Sequence, residues 1–327
     1  MVPCGSRICD VGCDHAHVDI RLLQEGRAVS ALAMDVAGGP LARARENVEL
    51  TGLSDRCTLR RSDGLTAYEP GEADTMICTG MGGLLLRSIL DAGEEKVRSF
   101  RELILSPQRD IELVREWLAE RSFRIVDEVF LEDAGKYYTV MLVLPPPECD
   151  ADAELSAGNG PGRTGLPPGN GRDQGGASAA IRTEREDLPL GSGPDWEDLA
   201  QNVRALSEEE EAQLMIDRGR VLVLLEDPSF RAYAENHYGP CILRKFFSRD
   251  GEDPSTCSSF GRYVTGELRT NLEIAARLQD SPESANAAAR LQQVCGNIGI
   301  LQVLLGLNQM LRQCFGGSQE GEPQGSS

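Results

Sequence analysis

The sequence predicts an α/β fold: a doubly wound sheet of seven strands closed by an antiparallel hairpin, followed by an α-helical hairpin domain. Three observations carry that prediction. Short apolar runs alternate with helix-periodic stretches from Arg7 to Leu144, the pattern of right-handed βαβ crossovers in a parallel sheet. Most of the early runs end in Asp, Gly or Ser, the residue types that turn a chain from strand to helix. Two long stretches of helical spacing then close the chain.

Taken in order, the strands are expected at Arg7–Val11, Ala31–Met34, Cys57–Arg61, Thr75–Cys78 and Leu103–Leu105. Helices are expected between them, at Asp19–Gln24, Pro40–Thr51, Leu84–Ala92 and Asp110–Arg121, with Asp110 as the N-cap of the last. Arg124–Leu131 and Tyr137–Leu144 flank Glu132–Lys136 and read as the closing hairpin. Residues 1–147 thus form one domain. Residues 156–195 hold 15 Gly or Pro among 40. Such a segment cannot offset its ordering entropy by burial, so residues 148–195 are expected to be a disordered insertion. Residues 196–315 read as a helical, coiled-coil-like domain, and 316–327 as a flexible tail. Within it Glu208–Glu211 reads as a solvated helix face, Tyr238-Gly-Pro240 as a turn, and Phe260–Leu278 and Ser284–Phe315 as an antiparallel hairpin around Asp280-Ser-Pro282.

The net charge is −19, which counts against a generic polyanion binder. Residues 1–147 carry 17 Lys/Arg against 24 Asp/Glu, and residues 148–327 carry 16 against 28, so both halves are acidic and any RNA contact must be local. No window reads as an uninterrupted membrane span and no signal peptide is evident, so a cytoplasmic protein without membrane contact is expected. The ten cysteines contain no CxxC pair. Cys9 and Cys78 sit inside apolar strand patterns, so buried reduced thiols are expected. A zinc site from Cys9, Cys13 and His15 or His17 is disfavoured, because Cys9 should point away from the turn that carries the others.

The chemistry gathers at the strand ends. Asp10, Asp35 and Asp63 end the first three strands, which lie side by side in a doubly wound sheet, so their ends share one crevice. A carboxylate after the second strand suits the two hydroxyls of an adenosine ribose. Asp63-Gly64 suits an adenine edge. The first loop, Asp10-Val-Gly12-Cys-Asp-His-Ala-His17, has one glycine and two acids and lacks the G-x-G-x-x-G fingerprint. It is ill suited to a pyrophosphate and suits the cationic amino group and sulfonium of S-adenosylmethionine. Acids that merely cap turns are the plain alternative; three in register favour the cofactor. The fourth loop, Thr79-Gly-Met-Gly-Gly83, begins a helix where a transferred methyl would point, although close packing alone could also require its glycines. Gln108 and Arg109 lie on the same rim as candidates for substrate contact. Of Tyr137 and Tyr138 at most one can face the cleft, and Tyr137 is the candidate.

Asp10-Val-Gly-Cys-Asp-His-Ala-His17, Gly80-Met-Gly-Gly83, Leu105-Ser-Pro-Gln108 and Glu132-Asp-Ala-Gly-Lys-Tyr-Tyr138 together resemble the bacterial tRNA (adenine-22-N1)-methyltransferase family. The resemblance spans about residues 2–145, with a weaker echo at Tyr238-Gly-Pro240. It implies a Rossmann-like class I methyltransferase domain followed by a helical domain, S-adenosylmethionine as cofactor, and tRNA as partner. It places Asp10, Gly12, Asp14 and His15, with Cys13 between them, in the cofactor loop. By the same resemblance Asp35 takes the ribose, Asp63-Gly64 the adenine, and Gly80, Met81 and Gly82 line the methyl-transfer site beside Thr79 and Gly83. Carbonyls of the Thr79–Gly83 loop, or the nearby carboxylate of Asp14, are the candidates for stabilising the transferred charge. A rival reading is a cofactor-binding sensor without turnover, or a methyltransferase for a small molecule or protein. Two departures stand out: the family's helix ahead of the first strand has no counterpart here, so Met1 is expected to be an internal start or the helix lost, and the Gly/Pro-rich insertion is foreign to the pattern. The oligomeric state is not legible.

Overall fold

The computed structural model describes residues 1–147, 193–214, 217–248, 253–279 and 285–315. The expected insertion and tail, and the turn at Asp280-Ser-Pro282, lie outside the described residues apart from positions 193–195. The sheet has seven strands: β1 (Ser6–Val11), β2 (Ala28–Asp35), β3 (Cys57–Arg61), β4 (Thr75–Thr79), β5 (Glu102–Ser106), β6 (Arg124–Asp133) and β7 (Lys136–Leu144). Their order is β3-β2-β1-β4-β5-β7-β6. The first five are parallel, while β7 runs antiparallel to both β5 and β6. The order reverses between β1 and β4, so a crevice opens at their carboxyl ends.

The pleat divides the strand side chains between two apolar layers. Cys9, Val11, Leu32, Met34, Met76 and Cys78 pack with helices α3 (Gly83–Ala92), α4 (Glu94–Arg98) and α5 (Ile111–Glu120). Ile8, Ala31, Ala33 and Ile77 pack with α1 (His17–Gln24) and α2 (Gly38–Leu50) on the other face. Each helix turns a short apolar stripe inward: Leu41, Ala44 and Val48 on α2, and Gly83, Leu86 and Leu90 on α3. Trp117 on α5 is fully buried, and its Nε1 donates to Asp91 Oδ1 at 3.1 Å.

Asp110 does precede α5, but not as the expected cap. It takes a left-handed conformation, φ 53°, and its side chain makes no capping bond. The carboxylate lies instead 3.8 Å from Arg109 Nε.

The helical region comprises α6 (Trp196–Arg204), α7 (Glu208–Leu214), α8 (Arg218–Glu226), α9 (Pro228–Tyr238), α10 (Pro240–Phe247), α11 (Pro254–Gln279) and α12 (Ala285–Phe315). The acidic run opens α7. Ser207 Oγ accepts from Glu210 N, and Glu210 Oε2 accepts from Ser207 N, a reciprocal cap. Helices α11 and α12 pack on one another; the five residues between them require an antiparallel pair. Leu272, expected on the apolar face, is 48% exposed. By length and composition alone, 286–312 of α12 would suffice to cross a membrane, and half of its most apolar window is buried in the fold.

The helical region is docked on the closing hairpin. Phe130 of β6 stacks on Tyr137 at 5.6 Å and meets Phe260 and Tyr263 of α11, each at 5.4 Å. Beneath these rings, Arg115 of α5 and Glu128 of β6 form a buried ion pair, Nη2 to Oε1 2.8 Å. Arg115 Nη1 also donates to the Asn236 and His237 carbonyls, at the negative end of α9. Glu128 Oε2 accepts from Cys241 N, at the positive end of α10. Gly239 sits between, at φ 99°, and a Cβ there would lie 2.6 Å from both Arg115 and Glu128. Lys245 Nζ completes the junction, bound to the Glu128 carbonyl at 2.7 Å and to Asp127 at 2.7 Å. Burial acts to lower the Lys245 pKa, but Asp127 and Asp253 outweigh it and hold the amine protonated. The Tyr238-Gly-Pro240 turn is thus a docking joint between the two regions.

Candidate active site

Four strand ends meet at the crevice. Gly12, at φ 83°, follows β1, and its N–H donates to the Met34 carbonyl at 2.8 Å, as does Cys13 N at 3.0 Å. A Cβ on Gly12 would lie 2.9 Å from Met81 Cε. The first and fourth loops therefore touch across the crevice, and the positive φ at Gly12 is what favours glycine there. Asp14 (φ 50°) and Ala16 (φ 57°) both take left-handed conformations without being glycine, a local strain of about 1 kcal/mol or more each. That strain bends the loop so that the Asp14 N–H reaches Asp35 Oδ2 at 3.1 Å. Asp35 Oδ1 accepts from Ala37 N at 2.8 Å. One carboxylate thus joins the loops after β1 and β2, and its remaining lone pairs are available to a ligand.

The Asp14 side chain is exposed, with Oδ1 3.5 Å from His15 Nδ1. The His15 ring packs edge-on to His17 at 5.9 Å, and the His15 carbonyl is held by Asn47 Nδ2. Asp63 is exposed on the third loop, and Gly64, at φ 53°, lies against Ile89 of α3.

The fourth and fifth loops are joined by backbone. Gly80 N donates to the Ser106 carbonyl, Gln108 N to that of Met81, and Gly83 N to that of Arg109. A Cβ on Gly83 would overlap the Asp110 carbonyl oxygen and lie 2.7 Å from that of Arg109. Close packing alone therefore accounts for Gly83. Thr79 ends β4, Gly82 precedes α3, and Arg109, 81% exposed, lies over Gly82. Gln108 is also exposed on this rim. Gly83→Ala is expected to force the two loops apart, costing about 2–3 kcal/mol; thermal melting measures it, and an unchanged midpoint would contradict the packing role.

Three expected site residues lie elsewhere. Asp10 is 3% exposed and points from β1 to the α1 face, against the buried carboxyl of Asp19. Its place in the pleat, with Ile8, sets that direction. The Cys13 side chain is buried in the α1–α2 layer, where burial raises its thiol pKa, and only its backbone serves the loop. Tyr137 has its ring in the Phe130–Tyr263 cluster, so the helical region takes the face expected for substrate. Among the described residues no group of three or more His, Cys, Asp or Glu could hold a metal ion.

The Asp10–Asp19 pair was missed in the sequence, because Asp19 reads as an ordinary first-turn acid of a helix. As two ionised carboxylates Asp10 and Asp19 could not donate to one another, and both Asp19 side-chain oxygens are buried. A retained proton supplies the donor. Burial, then the charge of Asp19, raises Asp10 well above the carboxylate range. Burial raises Asp19 from 3.8 to about 6, against the lowering effect of its hydrogen bond to Asp10. The native state therefore binds a proton that the unfolded chain releases. The pair's stability is complete below pH 3.8; the part due to Asp19 is lost as pH rises through about 6, and the part due to Asp10 at higher pH. Asp19→Asn is expected to reduce that slope between pH 4.5 and 7 and to raise stability at pH 7 by on the order of 2 kcal/mol. Chemical denaturation at pH 4.5 and pH 7 tests this; a slope as steep in the variant as in wild type would place the proton elsewhere.

Comparison with known proteins agrees with this geometry. Residues 1–141 match a family model described as a methyltransferase domain. Over 141 residues the chain is 37% identical to the curated tRNA (adenine(22)-N(1))-methyltransferase of Bacillus subtilis, covering 43% of this chain and 59% of that protein. The chain thus spans about six-tenths of the relative it matches. An uncharacterized protein from Listeria monocytogenes is similar in structure, with TM-score 0.60 and 20% identity over 93% of this chain and 94% of that one. The B. subtilis M1A22 tRNA methyltransferase gives a TM-score of 0.52 at 20% identity, with the same coverage. Both matches extend through the helical region and speak for the fold. Residues 1–141 are thus similar to a methyltransferase domain in sequence, and the sheet order with its crevice is the Rossmann-like fold of these solved structures.

Proposed function

We propose that the protein transfers a methyl group from S-adenosylmethionine to N1 of an adenine in tRNA, at position 22 in the D-arm region. The observation that carries the reading is the convergence of Gly12, Asp14, Asp35 and the Met81 loop at the ends of β1, β2 and β4. The sequence match to the curated adenine-22 enzyme supports the substrate. We read residues 1–147 as the catalytic unit and 196–315 as a coiled-coil-like RNA-binding unit, acting where tRNA is found, in the cytoplasm.

The donor set fits the cofactor. Asp35 retains acceptor capacity for a ribose. Asp63 and Gly64 offer an exposed acceptor beside a close backbone. Gly12 leaves its loop flat, and the acids of the first two loops suit a cationic ligand. When bound, S-adenosylmethionine supplies an electrophilic methyl group on a sulfonium.

Neutral N1 keeps its lone pair at pH 7, so no protein base is needed. N1 lies on the pairing edge, so the adenine must leave its pair or stack at a cost of about a few kcal/mol. The protein's task is to position that edge at Met81 and to exclude water. Positive charge arrives on the purine, and the exposed Asp14 carboxylate stands on the first loop to stabilise it. Asp14→Ala should retain cofactor affinity while turnover falls about a hundredfold; loss of affinity alone would rule the role out. The reading as a whole is tested with labelled S-adenosylmethionine and unmodified bulk tRNA, followed by nucleoside analysis. Formation of 1-methyladenosine supports it; cofactor binding without transfer would favour a sensor.

A further inference from the structure

Two leucines at the mouth of the crevice are not used by the fold. Gly83, Leu86 and Leu90 form the buried face of α3, whereas Leu84 and Leu85 in its first turn are 64% and 55% exposed. The other large exposed apolar side chains among the described residues stand singly in sequence: Val29, Leu50 and Leu272 are examples. Single exposed apolar residues need no explanation, whereas an adjacent pair at a site does. The pair follows directly on Met81 and Gly82. Met81 is in reach of Gly12, and Arg109 lies over Gly82 with most of its side chain in solvent. On a chain whose net charge of −19 gives no general attraction to a polyanion, an apolar tip that follows the glycine under an exposed guanidinium is a local fit to a nucleic-acid strand: the cation meets phosphate and the apolar tip meets bases.

We propose that Leu84 and Leu85 form an apolar wedge that enters the tRNA stack and holds the target adenine out of it, in reach of the Met81 loop. This rests on the adenine-N1 reading above. A target that reacts only when unstacked leaves a gap, and an apolar side chain that fills it keeps the base from returning. The leucines act as positioning residues for the RNA and make no contribution to the cofactor site.

The test compares wild type with the Leu84→Ser/Leu85→Ser double variant on two forms of the same tRNA. One is unaltered; the other has an abasic site opposite the target adenine, so that the base is already released. Cofactor affinity is measured alongside by calorimetry. The double variant is expected to bind S-adenosylmethionine as wild type does and to lose about tenfold or more in kcat/KM on unaltered tRNA, as removal of a stacking partner would produce. On the abasic form its rate should return to within about threefold of wild type. A tRNA with 2-aminopurine beside the target should brighten on binding wild type and stay dim with the variant. An equal loss on both tRNAs, or no loss on either, overturns the wedge. Failure of the wild type to form 1-methyladenosine on either tRNA instead removes the adenine-N1 reading, and the wedge with it.

Discussion

Glu128→Ala is expected to destabilise the protein by about 3–5 kcal/mol, the usual consequence of leaving one member of a buried ion pair alone. The cost is concentrated because one carboxylate serves three elements. Its Oε1 pairs with Arg115 of α5, its Oε2 caps α10 at Cys241, and Arg115 in turn holds the last carbonyls of α9. With Glu128 truncated, Arg115 is a buried cation with carbonyl partners only, and the α10 amide loses its acceptor. The helical region should then separate from the hairpin before the sheet unfolds. Hydrogen exchange over α9–α11 (228–279) together with a thermal melt would show this. A single transition with an unchanged midpoint would mean that the aromatic cluster around Phe130 suffices for docking.

Asp35→Ala is expected to weaken S-adenosylmethionine binding by about a hundredfold, the equivalent of one or two hydrogen bonds to a charged group. The carboxylate organises the site before any ligand arrives, through the Asp14 and Ala37 amides. Without it the strained conformations at Asp14 and Ala16 lose the contact that holds them. Two effects then combine: a ribose acceptor is lost, and the first loop no longer presents Gly12 to Met81. Calorimetry with the cofactor alone reads the sum. A dissociation constant within threefold of wild type would remove Asp35 from the binding site. Asp35→Asn separates the two effects, because the amide retains one acceptor oxygen for a loop amide but not a pair of them.

Much of the fold was legible because its signals are local. Cys57–Arg61 is a strand with the expected bounds, and the other strands of the sheet differ from expectation by one to three residues at their ends. Alternation of apolar runs with helix-periodic stretches implies crossovers, crossovers imply a parallel sheet, and a parallel sheet gathers its carboxyl ends at one crevice. The convergence of the first, second and fourth loops follows from that chain of reasoning, and the structure adds its contacts: Asp14 on Asp35, and Met81 on Gly12.

Direction within the pleat was harder to read. Asp10 ends a strand and looks like a ligand-facing acid, but its parity with Ile8 sends it to Asp19 on the α1 side. A one-residue difference in register would have reversed that assignment. Tyr137 was lost for a different reason: the hairpin's outer face is covered by α11, which begins more than a hundred residues later. The motif at Tyr238-Gly-Pro240 could be seen but not explained, since Arg115 and Glu128 occupy unremarkable positions in the sequence.

The amino-acid pattern alone carries the order of strands and helices along the chain, the parallel sheet, and the identity of the loops that share the crevice. Periodicity and turn chemistry act over a few residues and are written in the local pattern. Only the tertiary structure decided which acids face the crevice, why Gly83 and Gly239 cannot carry a side chain, and how the helical region is fixed to the sheet. Several of those outcomes depend on atoms brought together across more than a hundred residues of chain, as in the contacts of Arg115 with His237 and with Gly239. Close packing and buried charge are properties of such encounters, and no local pattern encodes them.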